Sequence, residues 1–439
     1  MNSTLSRGLA PRMRPLHSRR SAVIAALDIG TSKIACLIGR LKPLGEDAHL
    51  GGRTHSVELI GFGHTRARGI KAGTVIDMAR AEEAIRLAVD AAERSAKLEI
   101  ASVVLSVSGG RLGSDSFSAA ARLPGPSVEE GDIGRALDAA SLHTVRDGRA
   151  VLHSIPVGYA LDGVSGIRDP RGMLGEVLSV DLHVVTADLP ALRNLILCVE
   201  RCHLTVESLI AAPYAAGLAV LASDETEIGA TILDLGNGTT TAAVFAAGDC
   251  VHVDGIALGG SHVTMDLARG LGTTPVEAER LKTLHGSVLA GTSDEIDMVT
   301  VPAVHRGEHE TANAVSRSGL VRMIRPRIDE ILEVIRDRLK AANMISVASR
   351  RIVLTGGGAQ LTGIADLVGR VFGATTRVGR PLGMTNFSET ARGPAFAAAT
   401  GLLVYPQFAG REHFEPRRRH ARGETNYVTR VGRWLREGF

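Results

Sequence analysis

Aromatic residues are scarce in this chain: they make up 3% of its 439 residues and include one tryptophan, Trp434. A surface that stacks single-stranded bases needs several aromatic faces, so this composition argues against nucleic acid as a partner. Long apolar runs are also missing, because no stretch approaches the roughly 18 consecutive apolar residues of a membrane-spanning helix. We therefore expect no transmembrane segment.

Cysteine is scarce as well. The four cysteines, Cys36, Cys198, Cys202 and Cys250, are scattered over apolar segments without a C-x-x-C motif. This pattern predicts buried, reduced thiols in a cytoplasmic protein, with a metal site at Cys198 and Cys202 as the alternative. The first 20 residues contain five arginines and no acid but no apolar core. They predict a disordered basic tail and not a signal peptide.

The chain is long enough for two domains of ordinary size, and its hydrophobic content of 44% allows well-packed cores. The net charge is 50 − 47 = +3, too small to imply a polyanionic partner for the whole body. Function therefore has to be sought in local motifs.

One short motif occurs twice, as LDIGTSK over residues 27–33 and as LDLGNGTTT over residues 233–241. In each copy an aspartate ends an apolar run that predicts a buried strand, and a glycine, hydroxyl side chains and free N–H groups follow in the turn. Such groups suit polyphosphate oxygens, and the aspartate is placed to hold a hydrated Mg²⁺. A second strand follows each turn, which excludes a Walker-type loop, since that loop opens a helix. The candidate phosphate-binding residues are Asp28, Gly30, Thr31, Ser32, Lys33, Asp234, Gly236, Asn237, Gly238, Thr239 and Thr240.

Either turn alone could be a plain hairpin closed by aspartate and glycine. Two copies favour a duplicated fold whose halves bring Asp28 and Asp234 to opposite sides of one phosphate chain, holding Mg²⁺ through water. A triple glycine, Gly356–Gly358, lies after a predicted strand and before a predicted helix in VLTGGGAQLTGI. With 50 glycines in the chain such a run is weak by itself, and only its position is informative.

In these motifs the sequence resembles the actin-like ATPase superfamily, whose two phosphate loops and adenosine loop match DIGTSK, DLGNGTT and VLTGGGAQLTGI. The stretch AERLKTLHG matches the adenosine-side helix of that superfamily. The resemblance implies ATP and Mg²⁺ as ligands. Asn237 departs from the usual glycine, but asparagine tolerates positive φ, so we expect the turn to survive. By resemblance, the adenosine-binding residues are Glu279, Lys282, Gly286, Gly356, Gly357 and Gly358.

Within that superfamily the sequence is similar to the FtsA family of bacterial cell-division proteins over nearly its whole length. The likeness is carried by GIKAGTVIDM, VRDGRAVLHSIPVGYALDG, VERCHLTVESLIAAPYA, IVLTGGGAQLTGI and GRWLREGF. It implies an α/β, actin-like two-domain fold of duplicated ribonuclease-H-like halves, with an inserted FtsA-type subdomain and a C-terminal amphipathic helix. The first actin-like domain would comprise residues 21–100, 186–220 and 381–405, with the inserted subdomain at 101–185. The second would have its core at 221–262 and 345–380 and a helical subdomain at 263–344.

The resemblance also bears on catalysis. Related chaperone ATPases use a glutamate in an E-P-T-A-A stretch to position water, and Ala212 stands at that place in AAPYAAG. Loss of a catalytic base typically costs 10² to 10⁴-fold in rate. We therefore expect ATP binding with slow or negligible turnover.

A partner surface is expected on the helix predicted by RPRIDEILEVIRDRL. Its face with Ile328, Ile331, Leu332, Ile335 and Leu339 predicts a buried side, and Arg327 and Glu330 lie largely outside it. The pattern alone favours a solvated charged face. The resemblance implies that this subdomain receives the C-terminal peptide of the tubulin-like protein FtsZ, with Arg327 and Glu330 in contact. It also implies self-association into filaments and contacts with other division proteins.

The last 13 residues, YVTRVGRWLREGF, have the pattern of an interfacial helix, following a polar stretch at 406–426 that predicts a flexible linker. At 1.5 Å per residue the helix would be roughly 20 Å long, too short to cross a bilayer. From Arg411 onward eight arginines face four acids, which favours anionic lipid. The alternative is a helix docked on the protein itself. The expected membrane-contacting residues are Val428, Arg430, Val431, Arg433, Trp434, Leu435, Arg436 and Phe439.

Together these features predict a protein that holds FtsZ filaments at the cytoplasmic face of the inner membrane, at the division septum. A sugar or acetate kinase would need a catalytic acid that the pattern does not single out. A peptide-binding chaperone would need a β-rich domain after residue 405. A rod-shape or pilus-associated actin homologue is the nearest alternative.

Overall fold

The computed structural model describes residues 9–45, 52–109, 111–142, 146–302, 313–348 and 350–413. Its contacts divide the chain into two compact units. The larger comprises Met1–Ser116, Val145–Val157 and His183–Glu412, and the smaller comprises Phe117–Thr144, Gly158–Leu182 and His413–Phe439.

The first sheet of the larger unit is built on the first copy of the repeated motif. Strands β1 (Ala22–Ile29) and β2 (Lys33–Pro43) form an antiparallel hairpin, and β3 (His55–Arg66) continues it. On the other side of β1, strands β6 (Ser102–Val107) and β11 (Thr205–Ala211) run parallel to it. The order is β11-β6-β1-β2-β3, and the short strand β19 (Met384–Thr385) extends the edge beside β3.

The second sheet repeats this arrangement. Strands β12 (Ala230–Leu235), β13 (Thr240–Ala246) and β14 (Asp249–Ile256) are antiparallel, and β17 (Arg351–Thr355) and β18 (Thr375–Val378) add in parallel. Three antiparallel strands followed by two parallel ones thus occur in both halves. This confirms the predicted duplicated, actin-like α/β fold.

Helices with apolar faces cover both sheets, and alanine is common on the faces of α1 (Met78–Ala96), α4 (Ala212–Val220) and α11 (Ala397–Val404). The first sheet packs with these three helices and with α3 (Leu189–Glu200). The second packs with α6 (Gly260–Leu271), α7 (Pro275–His285), α8 (Arg317–Ala341) and α10 (Ile364–Phe372). The remaining short strands and α-helices of the larger unit are β4 (Ile70–Lys71), β5 (Thr74–Val75), α5 (Ser223–Ile228), β15 (Met298–Val301), β16 (Asn313–Ser316) and α9 (Ile345–Ala348).

Helix α8 is 25 residues long, and the apolar face predicted from its sequence is the buried one. Because β15 and β16 pair with each other just before it, residues 263–344 are not all helical. The inserted region contains α2 (Glu130–Ser141) and a four-stranded sheet of order β7-β10-β8-β9. Its strands are β7 (Gly113–Arg122), β8 (Arg149–Leu161), β9 (Val164–Ile167) and β10 (Val177–Asp188).

At both ends of the described chain, residues that were predicted to be flexible pack against the body of the protein. Leu9 and Ala10 are buried, and the Ala10 N–H donates to the Val151 carbonyl at 3.0 Å, which contradicts a disordered tail for residues 9–20. At the other end Tyr405, Ala409 and Glu412 are buried, so the body continues past the predicted linker start at residue 406. Apolar side chains explain the burial of Leu9, Ala10, Tyr405 and Ala409, and Glu412 is paired with His153. The predicted membrane helix, 427–439, lies outside the described residues.

The cysteines are free, and burial raises the pKa of the Cys36 and Cys198 thiols to about 12. Cys202 is only half-buried. In the part of the chain that the structure describes, no helix is long and apolar enough to cross a membrane.

Candidate functional site

One cavity of about 510 Å³ collects the residues that the two motifs, the triple glycine and α7 contribute. It lies within the larger unit, where the β1–β2 and β12–β13 turns approach each other. All seventeen predicted phosphate- and adenosine-binding residues line it: Asp28, Gly30, Thr31, Ser32, Lys33, Asp234, Gly236, Asn237, Gly238, Thr239, Thr240, Glu279, Lys282, Gly286, Gly356, Gly357 and Gly358. Residues separated by more than 300 positions in sequence therefore share one site.

Glycine is required in the two turns by close approach and not by an unusual backbone angle. Gly30, Gly236 and Asn237 have no positive φ. The β12–β13 turn forms with Asn237 in it, as expected, and needs no positive φ at that position. A Cβ on Gly236 would lie 2.6 Å from the Thr239 carbonyl oxygen, and a Cβ on Gly238 would lie 2.3 Å from Thr31 Oγ1. The two turns are thus in direct contact across the cavity.

The two carboxylates occupy equivalent places in the two halves. Asp28 is the last-but-one residue of β1 and accepts a hydrogen bond from Ser106 Oγ at 2.5 Å, on the neighbouring parallel strand β6. Asp234 is the last-but-one residue of β12, with Thr355 opposite it on the parallel strand β17. Burial, and then the nearby Asp28 charge, raises the pKa of Asp234 to about 6. Two carboxylates that repel each other in a polar cavity are suited to a divalent cation.

Lys33 places a third charge near the two carboxylates. Its Nζ donates to the Ala395 carbonyl at 2.5 Å and lies 4.6 Å from the centre of the Phe396 ring. Burial lowers the pKa of Lys33, although Asp28 and Asp234 partly oppose this shift. The Lys33 ammonium is therefore held by a backbone carbonyl and an aromatic face at the cavity wall. An anion bound in the cavity would balance its charge.

On the α7 side, Lys282 is the centre of a small polar cluster. Its Nζ donates to the Gly260 carbonyl at 3.0 Å, to Thr264 Oγ1 at 2.8 Å and to Glu279 Oε2 at 2.7 Å. Thr264 Oγ1 in turn donates to Glu279. The cluster fixes both predicted α7 side chains at the cavity wall, where they can meet hydroxyl groups of a ligand.

The triple glycine follows β17 and runs against the second motif. Gly356 has φ of +80°, and a Cβ there would lie 2.5 Å from Asp234 Oδ1. A Cβ on Gly358 would lie 2.8 Å from the Leu235 side chain. Only glycine fits at these positions, so the run holds bare backbone at the cavity surface.

Ala212 begins α4 and lines the cavity, where its methyl group offers no proton acceptor. Within the described ranges, no group of three or more His, Cys, Asp or Glu could hold a metal ion. A cation at Asp28 and Asp234 would therefore complete its coordination with ligand oxygens and water.

Ser106, which donates a hydrogen bond to Asp28, was missed by sequence reasoning. The parallel pairing of Leu27 with Leu105 places Ser106 beside Asp28. A polar residue ending the buried run ASVVLS was the available signal. Thr264 and the Ala395 carbonyl were not predictable, because they depend on how α6 and the segment before α11 pack.

Arg327 and Glu330 lie outside this cavity. Arg327 donates from Nε to Asp266 on α6 at 2.7 Å, and it also pairs with Glu330. These hydrogen bonds raise the pKa of Arg327. Arg327 is therefore partly covered, with 27% of its side chain exposed, and not a free surface charge. The predicted membrane-contacting residues, Val428 to Phe439, lie outside the described residues.

Comparison with known proteins gives the family. The family model "Cell division protein FtsA" matches residues 231–401, and the model "SHS2 domain inserted in FTSA" matches residues 109–186. The cell division protein FtsA of Rhizobium meliloti (strain 1021) is 48% identical over 98% of this chain and 98% of its own length. The chain belongs to the FtsA family of cell division proteins.

More distant FtsA relatives and solved structures agree with the fold. FtsA of Escherichia coli (strain K12) is 32% identical, over 95% of this chain and 98% of its own length. The structure of a PilM-PilN type IV pilus biogenesis complex matches with a TM-score of 0.59 at 18% identity, covering 88% and 98% of the two chains. MreB5 of Spiroplasma citri bound to ADP matches at 0.50 and 15% identity, covering 89% and 97%. These structures support the actin-like fold of the FtsA-family chain.

Proposed function

We propose that the cavity binds ATP with Mg²⁺ and that this FtsA-family protein uses the nucleotide as a clamp, with slow turnover. The observation that carries the proposal is the convergence of both motifs, the triple glycine and the α7 cluster on one cavity. The turns offer N–H and hydroxyl groups to phosphates, Asp28 and Asp234 suit a hydrated Mg²⁺, and Lys282 and Glu279 suit a ribose or base. Ala212 leaves the expected water-positioning place without a carboxylate.

Titration calorimetry with ATP, in the presence and absence of Mg²⁺, tests this proposal. We expect Mg²⁺-dependent binding and a turnover far below the 1 to 10³ s⁻¹ of typical enzymes. A matched titration with pyrophosphate separates the phosphate turns from the adenosine side. Failure to bind ATP at millimolar concentration would overturn the proposal, and turnover at ordinary enzyme rates would overturn the clamp.

The proposed cellular role is to anchor FtsZ filaments to the cytoplasmic face of the inner membrane at the division septum, assisted by self-assembly with ATP. The α6–α8 surface around Arg327 and Glu330 is the proposed binding site for the FtsZ C-terminal peptide. Asp266 and Glu330 hold Arg327 in a fixed orientation, which lowers the entropic cost of using it to bind a partner carboxylate.

We expect Arg327→Glu to weaken binding of the FtsZ C-terminal peptide by about tenfold or more, because it places three acids together where a cation stood. Fluorescence anisotropy with a labelled peptide measures the effect. Arg336→Glu is the matched control, since nine residues correspond to about 180° around the helix. Equal peptide affinity of the Arg327 variant and the parent, at unchanged thermal stability, would remove Arg327 from the site.

Membrane attachment is assigned to residues 427–439, as an interfacial helix on a tether. One short amphipathic helix binds lipid weakly, so stable attachment would draw on several copies in an assembled filament.

We expect a chain ending at Asn426 to lose sedimentation with anionic vesicles while retaining ATP and peptide binding. Trp434→Ala should reduce vesicle binding in the same direction, because it removes the only indole anchor in the chain. Thr429→Ala, on the polar face, serves as the control. A truncated protein that still co-sediments with anionic vesicles would refute this assignment.

A further inference from the structure

A buried hydrogen-bond chain connects the cavity wall to the last described turn of the protein. The Ala211 N–H donates to His153 Nε2 at 2.9 Å, and His153 Nδ1 lies 2.9 Å from Glu412 Oε1. The exposed fraction of the side chain is 0% for His153 and 1% for Glu412. Because Nε2 accepts from the backbone, the ring hydrogen resides on Nδ1 and is donated to the Glu412 carboxylate.

Each end of this series of hydrogen bonds lies beside a functional element. Ala211 immediately precedes α4, whose first residue, Ala212, lines the cavity. Glu412 is the penultimate described residue, directly before the C-terminal tail. The His153 ring packs against both Tyr214 of α4 and Tyr405, with centroid distances of 4.8 Å and 5.9 Å. His153 therefore contacts both α4 and the segment that leads into the tail.

The N-terminal arm, residues 9–20, binds to β8 close to His153 and to the segment that leads into the tail. Its Ala10 N–H donates to the Val151 carbonyl, two residues before His153 on β8. Further along, Arg12 Nη2 donates to the Glu412 carbonyl at 3.5 Å, and the Leu16 N–H donates to the Pro406 carbonyl at 3.4 Å. The arm thus secures residues 405–412, which we term the tail root, against the body.

We propose that His153 and Glu412 form a latch that couples the cavity wall to the tail root, with the N-terminal arm completing it. A buried carboxylate is stable only while its hydrogen-bond partner stays in place, so movement of the α4 N-terminus loosens Glu412. Coupling of this kind is reciprocal, and release of the tail root loosens the first turn of α4. An open latch would also lengthen the tether to the tail by about eight residues, or up to roughly 25 Å.

Hydrogen exchange on the full-length protein, without nucleotide, tests the latch independently of the proposed ATP binding. We expect Glu412→Ala to speed exchange about tenfold or more at the tail root and also at the amides of Ala211, Ala212 and Tyr214, about 200 positions away in sequence. Glu412→Gln keeps an acceptor oxygen for His153 Nδ1–H and should retain most of the protection. Glu389→Ala, at an exposed glutamate, is the matched control and should change neither segment.

Faster exchange confined to the tail root in Glu412→Ala, with residues 211–214 unchanged, would overturn the latch, since simple loss of local packing predicts that result. Deletion of residues 2–13 provides a second variant in case Glu412→Ala does not fold. It should speed exchange at the tail root and at 211–214, and unchanged protection of either segment would also contradict the proposal.

A second measurement adds ATP and Mg²⁺ and depends on the proposed function. In the parent, nucleotide should slow exchange at the tail root, and in Glu412→Ala it should slow exchange at the phosphate turns only. If calorimetry shows binding but the parent tail root does not respond, the coupling is wrong while the nucleotide site stands. If no ATP binds, the proposed function fails, and the nucleotide-free comparison still decides the latch.

Discussion

Replacing Asp234 with asparagine is expected to weaken Mg²⁺-dependent ATP binding strongly while making the ligand-free protein more stable. Asparagine keeps the shape of the side chain but removes the charge that a divalent ion requires. We expect affinity for ATP with Mg²⁺ to fall by about 10² or more, since a charged hydrogen-bonded partner typically contributes 2 to 5 kcal/mol. The same change removes a buried carboxylate that is repelled by Asp28.

The gain in stability follows from the raised pKa of Asp234, about 6 against an ordinary value of 3.8. Between those values the folded protein binds more protons than the unfolded chain, so the free energy of unfolding decreases as pH rises through this window. The full cost of the charge is reached above pH 6 and corresponds to about 2 to 3 kcal/mol at 1.36 kcal/mol per pKa unit. The asparagine variant carries no charge at this position, so its free energy of unfolding should not decrease in this way.

Thermal unfolding between pH 4 and pH 8, without nucleotide, measures this difference. The variant should unfold at a higher temperature than the parent above pH 6, and the two should converge near pH 4. Asp224→Asn, on the exposed surface of α5, is the matched control and should follow the parent at every pH. A variant that binds ATP with Mg²⁺ as tightly as the parent would show that Asp234 does not hold the metal.

The cavity could be predicted from the sequence because most of its key residues belong to a local pattern that occurs twice. An aspartate ending an apolar run and a following glycine define a strand end and a turn without any knowledge of packing. The duplication then implied that Asp28 and Asp234 face each other. Pairing of β1 with β6 and of β12 with β17 in the same register gives this inference its physical basis.

Other features depend on contacts between distant segments, and no local pattern reveals those. Asp266 on α6 partners Arg327 across 61 positions, which turns an apparently free arginine into a held one. His153 and Glu412 are 259 positions apart, and each alone is an unremarkable polar residue. The N-terminal arm was predicted to be disordered because its arginines outweigh the few apolar residues that bind it to the body.

The crossing of α4 and α11 is the closest helix contact built on glycine in the larger unit's described residues. A Cβ on Gly401 of α11 would lie 1.7 Å from the Ala215 carbonyl oxygen of α4 and 2.3 Å from its carbonyl carbon. Both helices are buried, and α4 begins at the cavity while α11 lies against β1 and β2. Backbone atoms cannot rotate away as a flexible side chain can, so any added atom must push the helices apart.

Gly401→Ala is therefore expected to destabilise the protein strongly. In an exposed helix, alanine is about 1 kcal/mol more favourable than glycine, but overpacking a core typically costs 1 to 3 kcal/mol and here it acts on backbone. We expect a net loss of at least about 2 kcal/mol, visible as a lower unfolding temperature and less soluble protein.

Gly134→Ala is the matched control: Gly134 lies within α2, and a Cβ there would meet nothing within 4 Å. That control should gain a few tenths of a kcal/mol or more, so the two substitutions should shift thermal stability in opposite directions. Equal unfolding temperatures for the Gly401 variant and the parent would mean that α4 and α11 separate easily, contrary to the tight crossing described above.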